Sequence, residues 1–203
     1  MSNTLLLMMG GNGTRFGAPI PKQFTVVGNK SIFEYIVDIY DSSDLVDNIV
    51  IVCNPEWIVY ASRVIIKKNT SKRIAIVPGG KTRSNSIKNG LLSIKSFSKA
   101  EDRILIHDAT HPYLDIESVQ IALEKMTEYD GATLCQCEYD TCYMVSDGQL
   151  TSEIPKKSVV SGASPEIFRF RDLEMMYSKT PDDILESMSS AGALALEHGL
   201  KVA

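Results

Sequence analysis

Apolar residues fall into two spacings that alternate along this chain. Compact runs at residues 5–9, 49–53, 74–77 and 104–106 are rich in Leu, Ile and Val and bounded by Gly, Pro, Asn or Asp. Unbroken runs of that length suit strands covered on both faces, as in a parallel sheet. Between them, apolar residues recur at helical spacing: Ile32, Tyr35, Ile36 and Ile39; Val59, Val64 and Ile65; Ile87, Leu91 and Ile94; Val119, Leu123 and Met126. The alternation predicts βαβ units closing right-handedly into an open sheet with helices on both faces, a three-layer α/β fold.

The rhythm changes after residue 130. Residues 132–138 read as another core strand, but about 139–155 the chain alternates around Ser146-Asp147-Gly148. Asp-Gly between two alternating runs marks a tight hairpin. Such a β-arm has little core of its own, so packing on a second copy of the chain is expected. Repeats and linker-like segments are absent, and residues 1–203 are read as a single domain.

Composition narrows the function classes. The chain is 44% hydrophobic and 23% charged, with a net charge of -4. That balance speaks against nucleic acid held by phosphate neutralisation. No run approaches the roughly 20 residues of a membrane helix, and the N-terminal apolar run lacks the basic start of an export signal. Cys53, Cys135, Cys137 and Cys142 form no C-x-x-C pair. Free, buried thiols in a reducing compartment are expected, hence a cytoplasmic protein.

The first candidate chemistry follows the first strand: Gly10-Gly11-Asn12-Gly13-Thr14-Arg15-Phe16-Gly17, then Pro21-Lys22-Gln23-Phe24. A glycine-rich loop at a strand's carboxyl end lets backbone N–H groups approach phosphate oxygens. Phe16 stands where a dinucleotide fingerprint needs its third glycine, and the P-loop's Gly-Lys-Ser/Thr is missing, so neither hydride transfer nor P-loop hydrolysis is favoured. Arg15 and Lys22 beside such a cradle suit a triphosphate during nucleotidyl transfer. In the next glycine turn, Gly79-Gly80-Lys81-Thr82-Arg83-Ser84-Asn85-Ser86, Ser84 or Ser86 could meet a nucleobase edge or cap the following helix.

Together with Ile106-His107-Asp108-Ala109-Thr110-His111-Pro112, these motifs resemble the cytidylyltransferases acting on 2-C-methyl-D-erythritol 4-phosphate or D-ribitol 5-phosphate. The resemblance runs from about residue 4 to 200, thinning after 140. It implies a Rossmann-like sandwich of the nucleotide-diphospho-sugar transferase type with an inserted dimerisation arm, and a reaction joining CTP to a polyol phosphate with release of pyrophosphate. It implies Arg15 and Lys22 as catalytic cations, and nucleotide contacts from Gly10, Gly11, Asn12, Gly13, Thr14, Gly80, Arg83 and Ser86. Asp108, at a strand end beside the crevice, is read as the ligand of Mg²⁺, and His107 as structural. His111, Thr141 and Lys156 fall at acceptor-binding positions, Thr141 reaching across a homodimer.

Departures cluster on the acceptor side. His111 replaces an arginine, Lys156 or Lys157 stands for another, and the family's Thr-Pro-Gln reads Ser164-Pro165-Glu166. The family's second metal carboxylate has no clear counterpart; Glu186, Asp182 and Asp183 lie near. The chain ends at Lys201-Val202-Ala203, ahead of the lysine-bearing segment of relatives, so it is either natively short or truncated. The expectation is a cytidylyltransferase with a ribitol 5-phosphate-like acceptor, of envelope polysaccharide assembly. Three readings stand beside it: the methylerythritol phosphate enzyme of isoprenoid synthesis, a CTP-binding protein without turnover, and a sugar-1-phosphate nucleotidyltransferase using another base.

Overall fold

The computed structural model describes residues 1–11 and 20–203. Strand β1 (Asn3–Met9) lies inside a six-stranded sheet. After the short strands β2 (Val26–Val27) and β3 (Lys30–Ser31), helix α1 (Ile32–Ser42) leads to β4 (Asn48–Cys53), α2 (Ile58–Lys68) to β5 (Arg73–Pro78), and α3 (Arg83–Ile94) to β6 (Arg103–Asp108). These four long strands are parallel, with β1 between β4 and β6 and β5 outside β4. Then come α4 (Ile116–Lys125), β7 (Gly131–Cys137), the hairpin β8 (Cys142–Ser146) and β9 (Gln149–Ile154), and β10 (Val160–Arg169). Helices α5 (Phe170–Lys179), α6 (Asp182–Ser187) and α7 (Ala191–Glu197) complete the chain. The full order is β5-β4-β1-β6-β10-β7.

Two-sided burial explains the unbroken apolar runs. Leu5, Leu7 and Met9 face one core with Ile36, Tyr40 and Val119 of α1 and α4; Leu6 and Met8 face the other with Ile87, Leu91 and Leu173 of α3 and α5. Side chains on a strand alternate faces, so a strand between two helical layers must be apolar at nearly every position. The three-layer α/β expectation therefore holds.

Two expectations need correction. The apolar pattern of residues 132–138 predicts a core strand, yet β7 is buried only at its start and exposed from Cys135 onward, where it leads into the arm. Its neighbour β10, antiparallel to both β6 and β7, was not anticipated. The thiols are free but not all buried: Cys53 is, and burial pushes it up to about 12, whereas Cys135 and Cys137 are exposed on the outer half of β7. The hairpin turn forms as expected, with Asp147 and Gly148 both at positive φ. Among the described residues, no helix is long and apolar enough to cross a membrane.

Candidate active site

The parallel strands deliver three loops to one edge. The chain runs outward from β1 through β4 to β5, then returns to β6 on the other side of β1, and ligands of open α/β sheets bind outside strand carboxyl ends at such a reversal. Backbone bonds continue past the strands: Asn54 N–H donates to the Met9 carbonyl (3.1 Å), Gly79 N–H to that of Cys53 (2.7 Å) and Ala109 N–H to that of Met8 (3.0 Å). The first and second loops touch here. A Cβ on Gly79 would lie 3.1 Å from the Gly10 Cα, and one on Gly10 would lie 3.0 Å from Ser86 Oγ, so a side chain at either position would crowd the meeting of the loops.

Gln23 fixes the near end of the first loop. It is buried, and its Nε2 donates to the carbonyls of Gly11 (2.9 Å) and Met9 (3.2 Å). Phe24 beside it stacks on Trp57 and packs edge-on against Phe33, anchoring the turn in the core. Between these anchored residues and Pro21, the Lys22 ammonium donates to the Thr110 carbonyl at 3.3 Å, joining the first loop to the loop after β6. Asn12, Gly13, Thr14 and Arg15 lie outside the described residues.

The second loop spends its hydroxyls on its own shape. Thr82, rather than either serine, caps α3, its Oγ1 accepting from Asn85 N–H (3.1 Å). Ser86 Oγ accepts from Gly80 N–H (3.0 Å) and donates to the Thr82 carbonyl (2.9 Å), which leaves it one lone pair for a ligand. Ser84 Oγ turns away to the Leu185 carbonyl (2.8 Å), docking α6 on α3.

Arg83 links this loop to the third. Its Nη2 reaches Asp108 Oδ2 at 3.1 Å and Glu166 Oε1 at 3.0 Å. Burial disfavours the guanidinium's charge, but the two carboxylates outweigh that and hold its pKa above the ordinary arginine value. Glu166 is buried, and its Oε2 accepts from Gly192 N–H at 2.5 Å. Alternation along β10 puts it on the same face as Phe168, the face covered by α3, α5 and α7. The register of β10 against β7 shifts between Gly162 and Glu166, and this irregularity brings Ser164 alongside the end of β6. Ser164 Oγ accepts from Asp108 N–H (3.2 Å) and is hydrogen-bonded to His111 Nδ1 (3.1 Å).

His107 is structural, as expected. Its Nε2 faces the His111 carbonyl (2.9 Å), which can only accept, so Nε2 carries the proton and Nδ1 accepts from Tyr40 Oη (3.1 Å). Burial lowers its pKa, keeping the ring neutral and the His111 carbonyl fixed. Thr141 and Lys156 sit at the base of the arm, both exposed, with Lys156 Nζ on the Tyr139 carbonyl at 2.7 Å. Among the described residues, no hydrogen bond or ion pair joins either to Asp108 or His111.

Asp108 fits a hard cation. Its carboxylate stands at the crevice, 30% exposed, and among the described residues only Oδ2 has a hydrogen-bond partner. No cluster of three or more His, Cys, Asp or Glu able to hold a metal occurs among the described residues. Mg²⁺ takes one or two carboxylates and fills its shell with water and substrate phosphates, so Asp108 is a donor of the right kind for it. Glu186 is exposed on α6, and Asp182 there pairs with Lys88 at 2.6 Å. The carboxylate brought close to Asp108 is instead Glu166, whose one sequence signal was the glutamate in Ser-Pro-Glu.

The family model described as 2-C-methyl-D-erythritol 4-phosphate cytidylyltransferase matches residues 4–203. The chain belongs to this family. It is accordingly a nucleotidyltransferase of the cytidylyltransferase kind. The 2-C-methyl-D-erythritol 4-phosphate cytidylyltransferase of Thermotoga neapolitana is 31% identical over 177 residues, 87% of this chain and 77% of the relative. The ribitol-5-phosphate cytidylyltransferase of Vibrio parahaemolyticus is 27% identical over 202 residues, 98% of this chain and 85% of that one. The fold matches the crystal structure of 4-diphosphocytidyl-2C-methyl-D-erythritol synthase from Anaerococcus prevotii with a TM-score of 0.82 at 16% identity, over 99% of this chain and 86% of that one.

Proposed function

We propose that this cytidylyltransferase joins CTP to 2-C-methyl-D-erythritol 4-phosphate, releasing pyrophosphate. The carrying observation is the meeting of Gly10, Gly79, Lys22, Arg83 and Asp108 at one sheet edge, in a chain whose family model bears that activity's name. An acceptor phosphate oxygen attacks the α-phosphorus of CTP in line; the new P–O bond forms as the bond to pyrophosphate breaks, and no covalent enzyme intermediate is needed. Backbone N–H groups of the first loop cradle the triphosphate. Lys22, with Arg15, neutralises charge building on the phosphoryl oxygens. Mg²⁺, held by Asp108, supplies further neutralisation when bound.

The comparisons do not confirm the ribitol preference drawn from the sequence: most of the named relatives carry the methylerythritol name, beside one ribitol-5-phosphate cytidylyltransferase. One observation keeps ribitol 5-phosphate as the second reading: His111, in place of an arginine, is tied to Ser164 at the acceptor side. Pyrophosphate release from CTP is expected with methylerythritol phosphate at least about tenfold faster in kcat/KM than with ribitol phosphate, a margin one lost or gained polar contact supplies. The reverse order would replace the first reading with the second. CTP binding without pyrophosphate release from any acceptor would make the chain a binding protein.

The arm is proposed to pack on a second copy. Val145 and Leu150 oppose each other across the hairpin, 62% and 66% exposed, and Tyr139 at its base is 85% exposed. A two-stranded arm with apolar side chains this open is poorly stable alone. Sedimentation is expected to show a dimer that the combined Val145→Lys and Leu150→Lys change converts to monomer. A wild-type monomer at micromolar concentration would refute the proposal.

A further inference from the structure

We propose that Glu166 is a positioning residue, a second anion that keeps Arg83 charge-paired while Asp108 turns to the metal-bound nucleotide; this rests on the reading of Asp108 above. One guanidinium nitrogen is shared by two carboxylates at nearly equal distances, 3.1 Å to Asp108 and 3.0 Å to Glu166. The two are not equivalent. The Asp108 side chain is 30% exposed and faces the crevice, whereas that of Glu166 is 7% exposed and pinned from its other oxygen by Gly192 N–H. A ligand can therefore reach Asp108 but not Glu166.

The charges of the triad explain the need for both. Two carboxylates and one guanidinium leave the triad itself with one net negative charge, which draws a cation. Were residue 166 neutral, Asp108 would be the one carboxylate left on a partly buried guanidinium among the described residues. Taking Asp108 away would then strand that cation, a state that desolvation makes costly. With Glu166 ionised, Arg83 keeps a full-charge partner in both arrangements, and Asp108 is free to change its own.

Mn²⁺ serves as the probe, its uptake by the protein–CTP complex read from the loss of the free-ion paramagnetic resonance signal, with no acceptor present. Glu166→Gln keeps the shape, but its single amide oxygen can accept from Arg83 or from Gly192 N–H and not from both, so a folded protein with a lowered thermal midpoint is expected. Its Mn²⁺ dissociation constant should rise roughly tenfold or more, while CTP binding in chelator changes less than about threefold. Glu166→Asp retains the charge and should keep Mn²⁺ affinity within about threefold of wild type, a rescue that a purely shape-filling role would not give. Equal Mn²⁺ affinity in wild type and Glu166→Gln would overturn the role of Glu166 and leave the site reading intact. Failure of wild type to take up Mn²⁺ with CTP would overturn both. If Glu166→Gln does not fold, Glu166→Asp decides: a loss of Mn²⁺ affinity as large as tenfold overturns the proposal.

Discussion

Lys22→Ala is expected to lower pyrophosphate release by about 10²–10³ in kcat, a few kcal/mol of transition-state stabilisation, as removal of one preorganised charge does elsewhere. The effect should fall mainly on kcat. On the proposed mechanism the ammonium meets the charge that builds on the phosphoryl oxygens during transfer, whereas the ground-state triphosphate would keep its other contacts. Stability should barely move, because Lys22 makes one 3.3 Å hydrogen bond to the Thr110 carbonyl and the anchoring of its turn falls to its neighbours Gln23 and Phe24. Steady-state turnover with CTP and methylerythritol phosphate, beside denaturant unfolding, checks both halves. Turnover within about threefold of wild type would remove Lys22 from the reaction.

Arg83→Met should cost about 3 kcal/mol of folding stability as well as nucleotide affinity, since breaking a buried ion pair leaves a charge without its partner. The loss arises from the two carboxylates left facing each other, so it should be repaired by removing either charge, but unequally. Adding Glu166→Gln is expected to recover most of the loss, because that carboxylate is 7% exposed. Adding Asp108→Asn should recover less, because water already reaches a side chain 30% exposed. Urea unfolding of the single and double variants measures the difference directly. Equal recovery from both would mean that burial does not set the cost.

What the sequence announces and what it conceals divide along physical lines. The four parallel strands are legible because burial on both faces writes itself into each run independently of the others. The hairpin is legible because Asp147-Gly148 carries its own backbone preference. Strand β10 is not, since only Ile167 and Phe168 near its end are deeply buried apolar residues, and its partners β6 and β7 are far back in the chain. The same distance hides the Arg83–Glu166 pair, 83 positions apart. The sequence offers Glu186, Asp182 and Asp183 as nearby carboxylates, whereas the fold brings Glu166 of β10 onto Arg83 beside Asp108. Ser84 and Ser86 show the converse: a hydroxyl in a glycine turn reads equally as ligand contact, cap or brace, and only its neighbours reveal that Ser86 braces Gly80 while Ser84 docks α6.

The sheet has two kinds of half. On the proposed reading the loops facing the nucleotide hang from strands running one way, while Glu166 and Ser164 of the reversed strand bond to Arg83 and to the Asp108 N–H. The arm and Ser164 belong to the reversed strand and its outer neighbour, joined by a hairpin whose two strands pair only with each other among the described residues. Substitutions confined to the arm are therefore expected to leave the loops after β1, β5 and β6 in place.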